Sequence, residues 1–192
     1  MKKALVIILC ITTAVGIAAF TFSLRELRSS YTTYRYREGD TTFSFAYPKD
    51  FFAASLESSS GDGKTLRILA EVDTPDNYFP QTNFGEARFF VSRILDADVA
   101  TCFSPEYAER KVDIDIHGRA FTVFDSHDAG AGNFYETKQF RSWTEHGCLE
   151  LAYTIHSKNI LNYDPSQGVT EFDRASIGAR FGEMVMSFRL TE

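Results

Sequence analysis

From Thr42 to Tyr47 the chain alternates apolar with small or polar side chains, and Pro48 follows. Period two is the pattern of a half-buried strand, and proline ends it because it cannot donate to a ladder. Phe51 to Leu56 reads as a second short strand, and Ser58 to Lys64 as a turn by composition. Thr65 to Val72 reads as the strand paired across that turn, with Leu66, Ile68 and Ala70 on one face. Asp73 to Gly85 carries Pro75, Asn77, Pro80 and Asn83 and reads as a loop. Ala87 to Leu95 is a strand, and Asp96 to Arg110 a short helix or an ordered loop interrupted by Pro105. Lys111 to Ile116 aligns Val112, Ile114 and Ile116, and Gly118 turns it into Ala120 to Phe124 as a hairpin. Asp128 to Asn133 reads as a flexible turn. Tyr135 to Thr144 and Leu149 to His156 are the next strands, joined across Glu145 to Gly147.

Asn159 to Gly168 is loop-like, and the period then changes. Phe172, Ile177, Phe181 and Val185 recur at helical spacing, which predicts a helix over Thr170 to Met186. Thr170 is its candidate cap, with Asp173 in the first turn. Ser187 to Leu190 could be a last strand. Many consecutive strands followed by one helix make an α+β domain, a mostly antiparallel twisted sheet packed by a C-terminal helix. The chain has 18 Phe and 9 Tyr, an aromatic content that favours strands.

The pattern is different at the N-terminus. Lys2 and Lys3 precede an uncharged run from Ala4 to Leu24, and charges resume at Arg25. About 20 apolar residues in a helix cross a hydrocarbon core of roughly 30 Å. The run therefore reads as a transmembrane signal anchor bounded by Ala4 and Leu24. A cleaved signal peptide ending near Gly16-Ile17-Ala18 is the alternative, and acylation at Cys10 a poorer one, since Ile8 and Leu9 are not small. The expected organisation is an anchor over residues 1–28, a tether with a possible edge strand over 29–41, and one domain over 42–192.

Charge narrows the partners. Beyond Lys2 and Lys3 the chain carries 18 basic against 26 acidic residues. That excludes a nucleic-acid partner, whose phosphates need clustered Lys and Arg. It also leaves the N-terminal helix as the contact with a membrane. Cysteine usage points outward. With Cys10 inside the apolar run, Cys102 and Cys148 remain as a pair, a disulfide candidate in an oxidising compartment. Two separate buried thiols are the alternative.

Candidate chemistry is sparse. His117, His127, His146 and His156 show none of the short ligand spacings of zinc sites, so neither metal nor cofactor is expected. Asp125-Ser126-His127-Asp128 holds the residue types of a hydrolase triad, but neighbours on a strand point to opposite faces. Gly130-Ala131-Gly132 lacks the ending of a phosphate loop, and Asp164 to Glu171 lacks the calcium-loop pattern.

The run Phe43-Ser44-Phe45-Ala46-Tyr47-Pro48-Lys49-Asp50-Phe51 resembles the opening of PsbP/Mog1-like domains. Ile116 to Phe121, Gly132 to Tyr135, Gly147 to Leu151 running into Ile155-His156, and the closing Ser187 to Leu190 are similar to small exported bacterial proteins of that kind. The resemblance spans Thr42 to Leu190 and implies a non-catalytic accessory or binding module. It transfers no partner-binding residue. The leading expectation is an extracytoplasmic module that contacts another envelope protein. The alternative is an extracytoplasmic hydrolase with a site near His127 or His156. An exposed aromatic patch from the Asn77 to Phe84 loop would favour the first, and a deep polar pocket the second.

Overall fold

The computed structural model describes residues 30–39, 41–54 and 66–191. The Ala4–Leu24 run, Cys10, the Gly16-Ile17-Ala18 site and the Ser58–Lys64 turn lie outside the described residues. Among those described, no helix is long and apolar enough to cross a membrane. The described residues from Thr33 onward belong to one compact unit.

Strand alternation produces ten strands among the described residues. They are β1 (Tyr31–Glu38), β2 (Thr41–Pro48), β3 (Phe52–Ala53), β4 (Leu66–Asp73), β5 (Phe84–Ile94), β6 (Glu109–Ile116), β7 (Arg119–Gly130), β8 (Asn133–Thr144), β9 (Gly147–Lys158) and β10 (Arg189–Thr191). The α-helices lying wholly among the described residues are α1 (Val99–Cys102) and α2 (Arg174–Met186). The strands form a three-stranded sheet, β1-β2-β10, and a seven-stranded sheet, β3-β4-β5-β9-β8-β7-β6. The β2–β10, β3–β4, β4–β5, β5–β9, β6–β7, β7–β8 and β8–β9 pairings are antiparallel. The fold is α+β, with a mostly antiparallel sheet and a C-terminal helix.

Both the small sheet and α2 pack on one face of the large sheet. Phe89 of β5 and Tyr153 of β9 are register partners on that face. Phe89 meets Phe45 of β2 with ring centroids 5.0 Å apart, and Tyr153 stacks on Phe181 of α2 at 5.1 Å. Ile177, Phe181, Met184 and Val185 are the buried stripe of α2, the helical spacing read from the sequence plus Met184. Phe43, Phe45 and Phe188 complete the core.

Several local expectations change. The helix starts at Arg174, with the Ser176 N–H donating to Asp173 Oδ1 at 3.0 Å, so Asp173 is the cap. Thr170 instead forms a parallel bridge with Thr82. Phe172, outside the helix, packs against Phe79 and Phe84. The register of β4 shifts between Ile68 and Ala70, which turns both Leu69 and Ala70 inward and breaks the single apolar face. The Asp128–Asn133 turn contracts to Ala131 and Gly132, at φ 49 and 78. Positive φ at both central residues fits a two-residue hairpin turn, so β7 and β8 run to its tip.

The other face of the large sheet carries a polar row. Ser92, Glu150, Arg141 and Thr122 are successive register partners from β5 to β7. Arg141 Nε donates to Glu150 Oε2 at 2.7 Å, with both side chains buried. Burial pushes the Glu150 carboxyl above its ordinary value even with the guanidinium against it. The Asp98-capped turn of α1 lies over this row, and Arg141 Nη1 donates to the Cys102 carbonyl at 3.3 Å. Cys102 and Cys148 are joined by a disulfide, Cα atoms 5.7 Å apart, which ties α1 to the first turn-proximal residues of β9.

Candidate functional site

The site grows from the far end of the β7–β8 hairpin. The ladder between β6 and β7 ends at Glu109 opposite Asp125, whereas β7 continues to Gly130. Residues 126–130 therefore pair with β8 on one side only, among the described residues. Across that remaining ladder, His127 faces Glu136, Asp128 faces Tyr135 and Ala129 faces Phe134. Strand alternation sends these pairs to opposite faces in turn.

On the face that carries α2, the first residue of that helix closes one side. Arg174 Nη1 lies 3.0 Å from Glu136 Oε1, and its guanidinium sits 5.0 Å from the Phe172 ring centroid. One step along, Lys138 Nζ is 3.5 Å from Asp125 Oδ1, an oxygen with no hydrogen-bond partner in the protein. Tyr153 is the register partner of Lys138. Burial first, then the Asp125 and Glu136 carboxylates, push its phenol up to about 12, so it stays a neutral donor.

On the outer face, Asp128, Tyr135 and His156 form a row. The Tyr135 and His156 rings stack with centroids 4.7 Å apart and planes 11° from parallel. Asn133 directs its amide NH2 to the Gly130 and Ala131 carbonyls, which leaves its Oδ1 to accept from His156 Nε2 at 2.9 Å. Gly85 lies under the imidazole, where a Cβ would come within 2.5 Å of Nδ1. The hairpin tip is anchored as well: Asn159 N–H donates to the Gly132 carbonyl at 2.8 Å and Asn162 Nδ2 at 3.2 Å. A shallow recess of ≈ 300 Å³ opens where the two faces meet, between His127, Asp128, Phe134, Tyr135, Glu136 and Arg174.

The residues singled out in the sequence are dispersed. His127 shares a face with Glu136, and His156 shares the opposite one with Tyr135. Asp125 and Ser126 likewise face apart, with Lys138 and Thr137 as their partners. His117 sits in the β6–β7 turn at φ 53, and His146 in the β8–β9 turn. Asp164 caps the 3-10 turn Pro165–Gln167. Among the described residues, no group of three or more His, Cys, Asp or Glu could hold a metal ion. The Asn77 to Phe84 loop does not form the exposed patch. Tyr78, Phe79 and Phe84 are partly buried against the core and one another. Phe134 and Tyr135, 37% and 38% accessible, are the exposed aromatics beside the recess, on opposite faces of β8, and Phe52, Tyr107 and Trp143 are exposed elsewhere. Glu136 and Arg174 are not legible as a pair in the sequence, because only the packing of α2 on the sheet brings them together.

No protein-family profile matches the chain, and no curated protein matches it. Among solved structures, the chain is similar to LpqN, involved in cell envelope biogenesis of Mycobacterium tuberculosis, at 11% identity and a TM-score of 0.49. That likeness covers 84% of this chain and 92% of the other. A protein of Bacteroides thetaiotaomicron VPI-5482 is similar at 13% identity and a TM-score of 0.39, over 78% of this chain and 45% of that one.

Proposed function

We propose that the chain is a membrane-anchored extracytoplasmic binding module of the PsbP/Mog1-like kind, and that it contacts a second envelope protein through the β7–β8 hairpin. The observation that carries the binding reading is two exposed aromatics, Phe134 and Tyr135, one on each face of a hairpin whose tip is held by Asn159 and Asn162. Aromatic side chains offer large contact area at low entropic cost, and a hairpin pinned by Asn159 and Asn162 presents them without further ordering. The Cys102–Cys148 bridge supports the compartment, because disulfides persist where the environment is oxidising. The anchor over residues 1–28 and the domain over 42–192 complete the reading. The hydrolase alternative gains no support, since His127 and His156 stand on opposite faces of the sheet.

A photoreactive phenylalanine at position 134 of the full-length protein, irradiated in its native membranes, tests the reading. The control is the same group at Ala179, an exposed residue of α2. The module should give a discrete protein adduct from position 134 alone. No adduct, or equal labelling from both positions, contradicts it.

A further inference from the structure

The open side of β7 shows how a partner would be held. The Ala129 N–H donates to the neighbouring Asp128 carboxylate at 2.8 Å. It is thus an edge donor covered by a side chain and not by a strand. Since backbone groups alternate in direction along a strand, His127 and Ala129 both present their N–H and C=O to the open side. Exposed edges are templates for an added strand unless charge or twist blunts them. The β6 edge is blunted: Arg110 pairs with Asp113 and Lys111 with Glu109 along it. The Ser126–Gly130 edge carries one acid, Asp128, and that acid is spent on its own neighbour's N–H.

We propose that this edge takes an extended segment of a second protein as an additional antiparallel strand, with Arg or Lys opposite Asp128 and an apolar residue opposite Ala129. The proposal rests on the binding reading above and names the partner's chemistry. The rows define the side chains. On the outer face the added residue continues the row Asp128, Tyr135, His156. A guanidinium there meets a carboxylate and lies beside the stacked Tyr135–His156 pair, a charge and an aromatic face together. On the α2 face the added residue continues the row Ala129, Phe134. The small Ala129 side chain leaves room in the recess for a large apolar group against the exposed Phe134 ring. Docking also exchanges one bond for two. When a partner carbonyl accepts the Ala129 N–H, Asp128 is released to pair with the incoming cation. The acidic balance of the chain, 26 acidic to 20 basic residues, favours a basic partner at longer range.

The test uses the full-length oxidised protein, isotopically labelled, and two synthetic peptides of alternating sequence, one Val-Arg and one Val-Glu. The Arg peptide should produce saturable amide shifts over residues 126–130 and 134–136, and the Glu peptide should bind about tenfold more weakly or not at all. Asp128→Lys should invert that preference, and Ala129→Pro should abolish binding because it deletes the edge donor. Shifts on Tyr31–Glu38 or Glu109–Ile116 in place of the β7 edge would overturn the proposal, as would an equal response to both peptides or none. If the peptides fail while the position 134 crosslink persists, the added strand is wrong and the binding surface stands. If both fail, the binding reading falls too.

Discussion

Asn83 shows how much one side chain can organise. It is 2% exposed and lies where three segments meet. Its Nδ2 donates to the Lys158 carbonyl at 2.7 Å, and its Oδ1 accepts from the Phe172 N–H at 3.2 Å. Its own backbone bonds Thr170 and Lys158. The end of β9, the Pro75-containing loop and the approach to α2 are therefore joined through it. Asn83→Ala should leave a buried donor and acceptor unpaired and cost about 1–3 kcal/mol, read as a lower denaturant midpoint at unchanged slope. An unchanged midpoint would show that water replaces the amide. In the sequence Asn83 is one more turn residue in a loop, because its partners are distant in sequence and appear only once the register is known. Gly85 is similar: nothing local calls for glycine, and its reason is the His156 ring above it.

Elements were legible where a single period ran uninterrupted. β2, where apolar and polar residues alternate, appears close to its expected range, and so do β5, β8 and β9. The misses have physical causes. Asp128, Gly130 and Gly132 read as loop by composition, yet Ala131 and Gly132 alone make the turn and the flanking residues stay in the ladder. That hidden length of hairpin is what creates the open edge and the recess, so the candidate site was largely illegible with it. α1 was seen only as a possible helix, for it has four residues and buries Cys102 alone. Its hold on the sheet rests on the disulfide and on Arg141. Replacing Cys102 and Cys148 together by Ser should cost about 2–5 kcal/mol and release fast hydrogen exchange over residues 96–108, while the β5–β9 and β8–β9 ladders stay protected. Exchange confined to its oxidised level would mean that packing, and not the bridge, fixes the segment.

For the whole molecule, the same architecture serves two demands. The α2 face of the large sheet is covered by the helix and the small sheet, which buries the core. The β7–β8 hairpin outruns β6 and, among the described residues, leaves an unpaired edge at one corner, where the proposed partner would dock. The Cys102–Cys148 bridge fits an extracytoplasmic location for that domain, and the anchor belongs to the proposed reading. The most direct measurement is the intact mass of the protein from its native membranes after alkylation, with and without prior reduction. The chain has three cysteines, so the account predicts a full-length species alkylated once, at Cys10, before reduction and three times after it. Three alkylated cysteines without reduction would contradict the extracytoplasmic placement and remove the ground on which an envelope partner is inferred.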